Sequence, residues 1–291
     1  MIANNGRLKI AIQKIGRLTE ESLTLLRTCG LEFEFQEQSL YSPCRNFDLD
    51  VLALRDDDIP EYVQDGVAEL GIVGENIVRE KQARVETLAK LGFGQCRLTI
   101  SVPERSSIRS IRKLDGKRVA TAYPVTLKRF LRTHRLKADI VELSGAVELA
   151  PTLDVADAIC DITSTGTTAR VNGLRPLHVV IDSEAVLIAN RRAVTTPRTK
   201  ALIERLFIRI SGSLQARGKR YMMMNAPLSA VPHLKRIIPS LKSPTVVPLA
   251  QEGMVALHSV VAENVFWDVM EKLKNAGASD IIVVPIETII Q

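Results

Sequence analysis

An alternation of apolar, strand-like runs with helical stretches constrains the fold of this sequence more than any other feature. Leu8–Ile12 is typical of a strand, and a polar turn follows it. Thr19 suits the N-cap of a helix, and the two glutamates that come next favour its first turn. Similar strand signals recur further along the chain, for example at 49–54 and 118–121. The pattern predicts α/β layers on mainly parallel sheets, in which ligands bind at the carboxyl ends of strands.

Residues 220–291 follow a different order from the rest of the chain. Their strand and helix signals fall, in turn, at 221–224, 228–238, 245–249, 255–260, 263–276 and 281–284. This βαββαβ order is that of the ferredoxin-like motif. By fold analogy alone, a module of this size and position is more typical of regulation or oligomerisation than of catalysis.

The net charge of +6, from 39 Lys and Arg against 33 Asp and Glu, leaves three kinds of surface open. An ordinary solvated basic surface is the simplest interpretation, followed by a site for phosphorylated metabolites and then by a nucleic-acid site. Basic residues are dispersed, and aromatic residues make up only 4% of the chain, which is poor material for stacking bases. We therefore expect no nucleic-acid partner.

No segment of the sequence is typical of a membrane span or of export. The longest uncharged stretch, 221–234, includes Asn225 and two prolines, whereas a span needs roughly 20 apolar residues. The first residues lack the apolar core of a secretory signal. The four cysteines form no CxxC pair and have no histidine at metal-ligand spacing, so reduced thiols are expected. These features predict a cytoplasmic protein with no membrane partner.

Two loops carry residues that suit a bound phosphate. In the first, Lys14, Gly16 and Arg17 lie where a strand ends and a helix N-terminus opens, a geometry that attracts anions. In the second, Asp161 ends an apolar strand and a hydroxyl-rich loop follows over 163–168. Its N–H groups and hydroxyls could cradle a phosphate, and carboxylates could hold ribose hydroxyls or magnesium. An ordinary Ser/Thr turn that caps a helix is the alternative.

Two further positions are candidates on weaker grounds. Three consecutive aspartates follow Arg55, and their mutual repulsion indicates either a function or an exposed turn that caps the next helix. Glu75 follows the apolar run that ends at Gly74, and simple solvent exposure is its alternative.

Several motifs, taken in chain order, resemble those of the ATP phosphoribosyltransferase family. They are QKIGRL at 13–18, RDDDIP at 55–60, LGIVGEN at 70–76, GKRVAT at 116–121, VELAP at 147–151, ADAICD at 156–161 and STGTT at 164–168. The segments SPTVVPL at 243–249 and GAS at 277–279 extend the resemblance towards the C-terminus. The likeness therefore runs almost end to end and indicates the long form of the family, which carries its own regulatory domain.

The resemblance implies a fold, a reaction and a set of ligands. The fold would be a two-lobed catalytic core similar to type II periplasmic binding proteins, followed by the ferredoxin-like domain. The expected limits are 1–102 with 184–219 for the first lobe, 103–183 for the second and 220–291 for the regulatory domain. The reaction would move phosphoribose from phosphoribosyl pyrophosphate (PRPP) to N1 of ATP with Mg²⁺, as the first step of histidine biosynthesis. Histidine, with AMP as a second candidate, would inhibit it, and dimers would assemble into hexamers.

The resemblance also implies roles for individual residues. The catalytic set would be Lys14, Arg17, Arg55, Glu148 and Asp161. The PRPP site would comprise Asp157, Asp161, Thr163, Ser164, Thr165, Gly166, Thr167 and Thr168. The ATP site would comprise Gly16, Arg17, Arg55, Gly74 and Glu75. Glu148 and Asp161 would hold the metal, and Asn225, Thr245 and Asp280 would bind histidine.

One position departs from the family pattern, and two other functions stay open. Ile15 stands where long forms usually have a serine, so a side-chain hydroxyl has no role at this position and backbone N–H groups remain as phosphate donors. The chain could instead be a two-lobed small-molecule receptor with an effector tail, although the acidic, hydroxyl-rich loop argues against this. A nucleic-acid-binding protein that uses the +6 charge is the third possibility.

Overall fold

Three β-sheets organise the chain in a computed structural model that describes residues 6–36, 38–163, 171–238 and 243–290. One compact unit, residues 1–27 with 31–204, contains two of the sheets, and the other, residues 28–30 with 205–291, contains the third. The division falls within the long helix Pro197–Ala216. Across the described ranges, no helix combines the length and apolar character that crossing a bilayer requires.

The first sheet, with its helices, forms what we call the first lobe. Its strands are β1 (Leu8–Gln13), β2 (Tyr41–Pro43), β3 (Leu49–Leu54), β4 (Leu70–Gly74), β5 (Glu86–Lys90) and β11 (Ala185–Ala189), in spatial order β2-β3-β1-β4-β11-β5. Helices α1 (Thr19–Thr28), α2 (Ile59–Gln64) and α3 (Glu75–Lys81) follow β1, β3 and β4. Because β1 is parallel to both β3 and β4, the loops after these strands open at one edge of the sheet.

Burial explains why these segments form central strands. Every residue of β4 and of β11 is buried, as expected for strands that are covered on both faces. Asp50 is buried within β3, and its carboxylate accepts a hydrogen bond of 2.8 Å from Arg7 Nε. This ion pair satisfies a charge that would otherwise be costly inside the sheet.

The second sheet forms what we call the second lobe. Its strands are β6 (Cys96–Pro103), β7 (Arg118–Thr121), β8 (Asp139–Glu142), β9 (Ala158–Thr163) and β10 (Leu174–Ser183), in spatial order β10-β6-β9-β7-β8. Helix α4 (Pro124–Thr133) follows β7, and a short 3₁₀ turn, Val147–Leu149, lies between β8 and β9. β7 is parallel to β9, so the carboxyl ends of these two strands meet at the same edge.

The chain passes between the two lobes twice, after β5 and again between β10 and β11. This arrangement confirms the predicted two-lobed α/β core. The expectation of mainly parallel sheets is wrong, because β6 is antiparallel to β9 and β10, and β11 is antiparallel to β4 and β5. The first crossing precedes Cys96, whereas the sequence places it at residue 102. The difference arises because Cys96 already pairs with Ser183 of β10, so that β6 belongs to the second sheet from its first residue.

The third sheet is antiparallel and confirms the predicted βαββαβ order. Helix α5 (Pro197–Ala216) precedes β12 (Lys219–Pro227), which is followed by α6 (Val231–Ile237), β13 (Thr245–Pro248), β14 (Met254–Ala262), α7 (Glu263–Asn275) and β15 (Ser279–Pro285). The spatial order is β13-β14-β12-β15. Met222, Met224 and Ala226 of β12 are buried in the core, so Met223 and Asn225 lie on the opposite face of the sheet.

Candidate active site

The loop between β1 and α1 is folded tightly at the carboxyl end of β1. The side-chain oxygen of Gln13 accepts the backbone N–H of Leu18 at 2.9 Å, which closes the loop over Lys14, Ile15, Gly16 and Arg17. Gly16 has a φ of +143°, and a Cβ at this position would lie 2.4 Å from Gln13 Nε2. The loop therefore needs glycine at position 16.

Three cationic residues lie on neighbouring strand ends of the first lobe. Gln13 pairs with Leu54, so Lys14 and Arg55 leave the sheet side by side at the ends of β1 and β3. Arg17 donates from its guanidinium to the backbone oxygen of Gln95 and to Cys96 Sγ, each at 3.3 Å. These three cations lie at this edge of the sheet together with Asp56, which directly follows Arg55.

Gly74 and Glu75 lie at the junction of β4 and α3. Glu75 accepts a hydrogen bond of 3.0 Å from Arg79 Nε, and its other oxygen lies 3.6 Å from Lys90 Nζ. The side chain is only 18% exposed, and its charge is balanced by Arg79 and Lys90. Glu75 is therefore an ion-paired carboxylate and not a solvent-exposed acid. Gly74 is buried, and a Cβ there would lie 2.4 Å from Asn76 Oδ1.

A hydrogen-bond chain joins the two lobes beside this junction. The backbone N–H of Asn76 donates to Ser183 Oγ at 3.0 Å, and Ser183 Oγ donates to Asn76 Oδ1 at 2.9 Å. The side-chain nitrogen of Asn76 then donates to the hydroxyl of Tyr123 at 3.4 Å. Asn76 and Ser183 are both buried, which fixes the position of Tyr123 against the first lobe.

The second lobe contributes Asp161 near the end of β9. Its Oδ1 accepts the backbone N–H of Ile162 at 2.8 Å. Burial raises the pKa of Asp161, the hydrogen bond from Ile162 lowers it, and the nearby charge of Glu148 raises it further. Burial and the negative charge of Asp161 also raise the pKa of Tyr123, so its phenol stays protonated. Asp161 therefore lies within electrostatic reach of both Glu148 and Tyr123.

A cavity of about 150 Å³ lies between the lobes, where these parts meet. It is lined by Gln13, Arg17, Leu18, Asp56, Gly74, Asn76 and Ile77 from the first lobe, and by Tyr123 and Ile162 from the second. Arg17 and Gly74 are thus the sequence-predicted residues that line it. A cation and a carboxylate face the same enclosed volume, which suits a ligand with both phosphate and hydroxyl groups.

The predicted phosphate loop after β9 is described only at its start. Thr163 Oγ1 lies 3.0 Å from Thr99 Oγ1, which anchors the last residue of β9 to β6. Ser164, Thr165, Gly166, Thr167 and Thr168 lie outside the described residues.

Asp157 lies at the opposite end of β9 from Asp161. Its carboxylate accepts the backbone N–H of Arg118 at 2.8 Å and lies 3.6 Å from Arg118 Nε. Four residues of extended chain separate the two aspartates, a distance of roughly 13 Å. The carboxylate of Asp157 thus joins β7 to β9 at the amino end of the strand, and its predicted contact with PRPP stays a prediction.

Two of the three residues predicted to bind histidine lie together in the third sheet. Asn225 Nδ2 donates to Asp280 Oδ2 at 3.1 Å, and Ser279 Oγ donates to the same oxygen at 3.1 Å. Asp280 has a φ of +48°, which is an unusual conformation that is often retained at binding sites. Thr245 lies on β13, separated from Asn225 by β14, and so does not join this pair within one chain.

The sequence did not identify Asn76 and Tyr123 as site residues, and it marked Asp56 only as one of three consecutive aspartates. Asp56 lies in the RDDDIP motif and Asn76 in the LGIVGEN motif, but neither motif shows which of its side chains lines the cavity. Tyr123 stands alone before Pro124 and belongs to no chemical pattern. Only the meeting of the two lobes brings these residues to one cavity.

Asp161 and Glu148 are the two carboxylates that the sequence predicts to hold magnesium. Within the described residues, no group of three or more His, Cys, Asp or Glu side chains is arranged to hold a metal. Magnesium commonly binds through one or two carboxylates together with water and substrate phosphates. Burial is the main cause of the raised pKa of Asp161, and the negative charge of Glu148 adds to it. A divalent cation stabilises such a pair of carboxylates.

Comparisons with known proteins identify the family. A family profile described as ATP phosphoribosyltransferase matches residues 55–212, and one described as HisG, C-terminal domain, matches residues 216–288. The chain is 47% identical over 284 residues to the ATP phosphoribosyltransferase of Cytophaga hutchinsonii, covering 98% of this chain and 99% of that protein. It also resembles a chain of the ATP phosphoribosyl transferase (HisG:HisZ) complex from Thermotoga maritima, with a TM-score of 0.60 and 30% identity, over 70% of this chain and 98% of that one. This chain therefore belongs to the ATP phosphoribosyltransferase family.

Proposed function

We propose that the cleft between the two lobes transfers phosphoribose from PRPP to N1 of ATP. A bond forms between adenine N1 and the anomeric carbon of the ribose, and the bond from that carbon to the pyrophosphate oxygen breaks. The products are phosphoribosyl-ATP and pyrophosphate, which makes this the first step of histidine biosynthesis. The observation that carries the proposal is the cavity where Arg17 and Asp56 of the first lobe face Tyr123 of the second.

We assign the PRPP side of the reaction to the second lobe. Asp161 and Glu148 would hold ribose hydroxyls and the metal, and the loop from Thr163 to Thr168 would hold the 5-phosphate. Because burial raises the pKa of Asp161, a cation or hydroxyl donor that meets this carboxylate gains more than it would in water. We leave Asp157 out of this proposal, because its carboxylate binds Arg118.

We assign the polyphosphate charge to the first lobe. Lys14, Arg17 and Arg55 would face the pyrophosphate and the triphosphate, and the N–H groups of the loop at Gly16 would add donors. The charge that develops on the departing pyrophosphate is stabilised by these fixed cations, so no covalent nucleophile is needed. Gly74 and Glu75 would lie towards the adenine, where the contacts of Glu75 with Arg79 and Lys90 would hold its carboxylate in place.

Magnesium is the proposed cofactor. Glu148 and Asp161 would hold it together with oxygens of PRPP. When bound, the ion supplies positive charge at the pyrophosphate.

We propose that residues 220–291 form a regulatory domain that binds histidine as an inhibitor. The hydrogen-bonded pair Asn225 and Asp280 offers a carboxylate and an amide to an amino acid's ammonium and carboxylate groups. Thr245 would join the site only from a neighbouring copy, since β14 and β12 separate it from Asp280. Assembly of dimers into hexamers, and inhibition by AMP, complete the proposal.

A cytoplasmic location is the proposed site of action. Cys29, Cys44, Cys96 and Cys160 are all free and buried in this structure. Buried free thiols suit a reducing compartment.

The test is a steady-state assay with ATP, PRPP and Mg²⁺ that follows pyrophosphate release and identifies the adenine product by mass spectrometry. We expect release only when both substrates are present, with one phosphoribosyl-ATP formed per pyrophosphate. Tight binding of ATP or PRPP without turnover would instead favour a two-lobed receptor.

A further inference from the structure

A groove larger than the active-site cavity lies on another face of the two-lobed core. Its volume is about 700 Å³, and it is bordered by the end of α3, by one side of α4 and by β10. None of the residues assigned to the ATP, PRPP or metal sites lines it. The volume lies within the range of pockets that hold nucleotide-sized ligands.

The groove concentrates positive charge that the protein does not neutralise. The described residues of its lining include Arg79, Lys128, Arg129 and Arg132 and no acidic side chain. Arg79 pairs with Glu75, whereas Lys128, Arg129 and Arg132 form no ion pair with any described residue. Lys128 and Arg132 are one turn apart on α4, so their charges repel each other unless an anion lies between them.

The floor of the groove offers an aromatic and apolar surface beside these cations. Phe130 is buried beneath His134, with ring centroids 4.1 Å apart, and Val180 adds an aliphatic wall from β10. His134 itself is exposed, so its ring is accessible to a planar group. An inorganic anion would bind the cations but would leave the aromatic and apolar floor of the groove exposed to water.

Thr126 supplies an independent indication of a polar ligand. It lines the groove and is 92% buried, since its exposure is 8%. Its Oγ1 has no hydrogen-bond partner among the described residues. An unpaired buried hydroxyl is costly and is commonly satisfied by water or by a ligand.

The N-terminus of α4 does not itself bind the anion. Its first free N–H groups, at Val125 and Thr126, are already accepted by the carboxylate of Glu80, at 2.8 and 2.9 Å. A phosphate in this groove must therefore be held by the side chains of Lys128, Arg129 and Arg132. Guanidinium groups match the geometry of phosphate oxygens, which favours a ligand with more than one phosphate.

We propose that this groove is a second ligand site, separate from the active site, that binds a nucleoside diphosphate or a nucleotide of similar charge. The phosphates lie against Lys128, Arg129 and Arg132, and the base lies against His134 and the apolar floor. The groove joins α3 of the first lobe to α4 of the second, so its ligand contacts both lobes.

The test uses GDP, which is not a substrate of the proposed reaction, as the probe. The groove variant is the full-length chain with Lys128→Gln, Arg129→Gln and Arg132→Gln. Its control is Arg109→Gln, Arg112→Gln and Lys113→Gln, which removes the same charge from other exposed positions. GDP binding is measured by calorimetry, and hydrogen exchange locates the protected amides.

We expect GDP to protect residues 125–134 in the parent protein and in the control. In the groove variant, affinity should fall on the order of tenfold or more, because three charge-assisted contacts are lost. Both variants should keep the parent rate of turnover. Equal GDP affinity in all three proteins, or protection confined to residues 13–19, would overturn the proposal. A groove variant that loses only duplex DNA binding, or only self-association, would overturn it in favour of a nucleic-acid face or an interface between copies.

Discussion

The carboxylate of Glu80, on α3 of the first lobe, accepts the backbone N–H of Val125, on α4 of the second lobe, at 2.8 Å. Its second oxygen accepts the next N–H, at Thr126, at 2.9 Å. Tyr123, the residue at the N-cap position of α4, provides no side-chain cap, so the helix takes its cap from the other lobe. This contact and the chain from Asn76 to Tyr123 hold the lobes together beside the cavity.

Removing this cap should destabilise the core. We expect Glu80→Ala to lower the free energy of unfolding by about 1–2 kcal/mol. The reason is that the partly buried backbone N–H groups of Val125 and Thr126, at a helix N-terminus, lose a charged acceptor. The stability of Glu80→Gln should fall between those of the parent and of Glu80→Ala, since the glutamine amide oxygen still accepts one hydrogen bond. Urea unfolding measures the effect, and Glu142→Ala, at an exposed position on β8, serves as the control. Equal losses in Glu80→Ala and Glu142→Ala would contradict the role of this contact.

Gly16 should be intolerant of a side chain. We expect Gly16→Ala to cost about 1–3 kcal/mol, because its φ of +143° is strained for any other residue. The new Cβ would also displace the Gln13 amide that accepts the N–H of Leu18. Gly145→Ala is the matched control, since nothing lies within 4 Å of its Cβ position, and it should change stability by less than about 0.5 kcal/mol. Both are measured by denaturant unfolding, and similar values for the two would refute the account of this loop.

Asp161 should trade stability for activity. Its pKa in the folded chain is above the ordinary value of 3.8, so the folded state binds the proton more tightly than the unfolded state. Stability therefore falls as pH rises through the interval between these two values and stays lower above it. Asp161→Asn should lose turnover yet be more stable than the parent at neutral pH, with the advantage vanishing below about pH 3.8.

Thermal unfolding across pH, paired with the turnover assay, checks this prediction. Asp157→Asn provides the comparison, because its carboxylate binds Arg118 and lies away from the cavity. That variant should lose stability while its KM for PRPP stays at the parent value. An Asp161→Asn protein with normal turnover would remove this aspartate from the site.

Inhibition by histidine should depend on the pair Asn225 and Asp280. We expect Asn225→Ala and Asp280→Asn to raise the inhibitory concentration of histidine on the order of tenfold, because each removes a charge or hydrogen bond to the ligand. Uninhibited turnover should be unchanged. Thr245→Val tests whether Thr245 belongs to the same site, and an effect would indicate a contribution from a neighbouring copy. Parent-like inhibition in both of the first two variants would place the histidine site elsewhere.

Local pattern was sufficient to predict most of the fold. The strand over Leu8–Ile12, the helix at Thr19 and the βαββαβ order of the last domain follow from apolar periodicity and helix-capping residues. The sequence puts the first crossing between lobes at residue 102, whereas β6 pairs within the second sheet from Cys96 onwards. Its membership is decided by pairing with Ser183, which is far away along the chain.

The candidate site was predictable only where it depends on strand ends. Lys14 and Arg17 are predicted from the strand end and helix start that flank them, and Arg55 from the family resemblance. Parallel pairing of β1 with β3 places Lys14 beside Arg55. The contact of Asn76 with Ser183 joins residues 107 positions apart, which no local pattern encodes. Asp157 and Asp161 lie in one short motif, yet they stand towards opposite ends of β9, which the motif by itself does not show.

The most direct test of the proposed reaction is the fate of adenine N1. ATP labelled isotopically at N1 is mixed with PRPP, Mg²⁺ and the full-length protein, and the labelled nitrogen is followed by NMR as pyrophosphate is released. The account predicts a new bond between N1 and the anomeric carbon of ribose, formed in step with pyrophosphate. Pyrophosphate released while the N1 signal stays unchanged would contradict it.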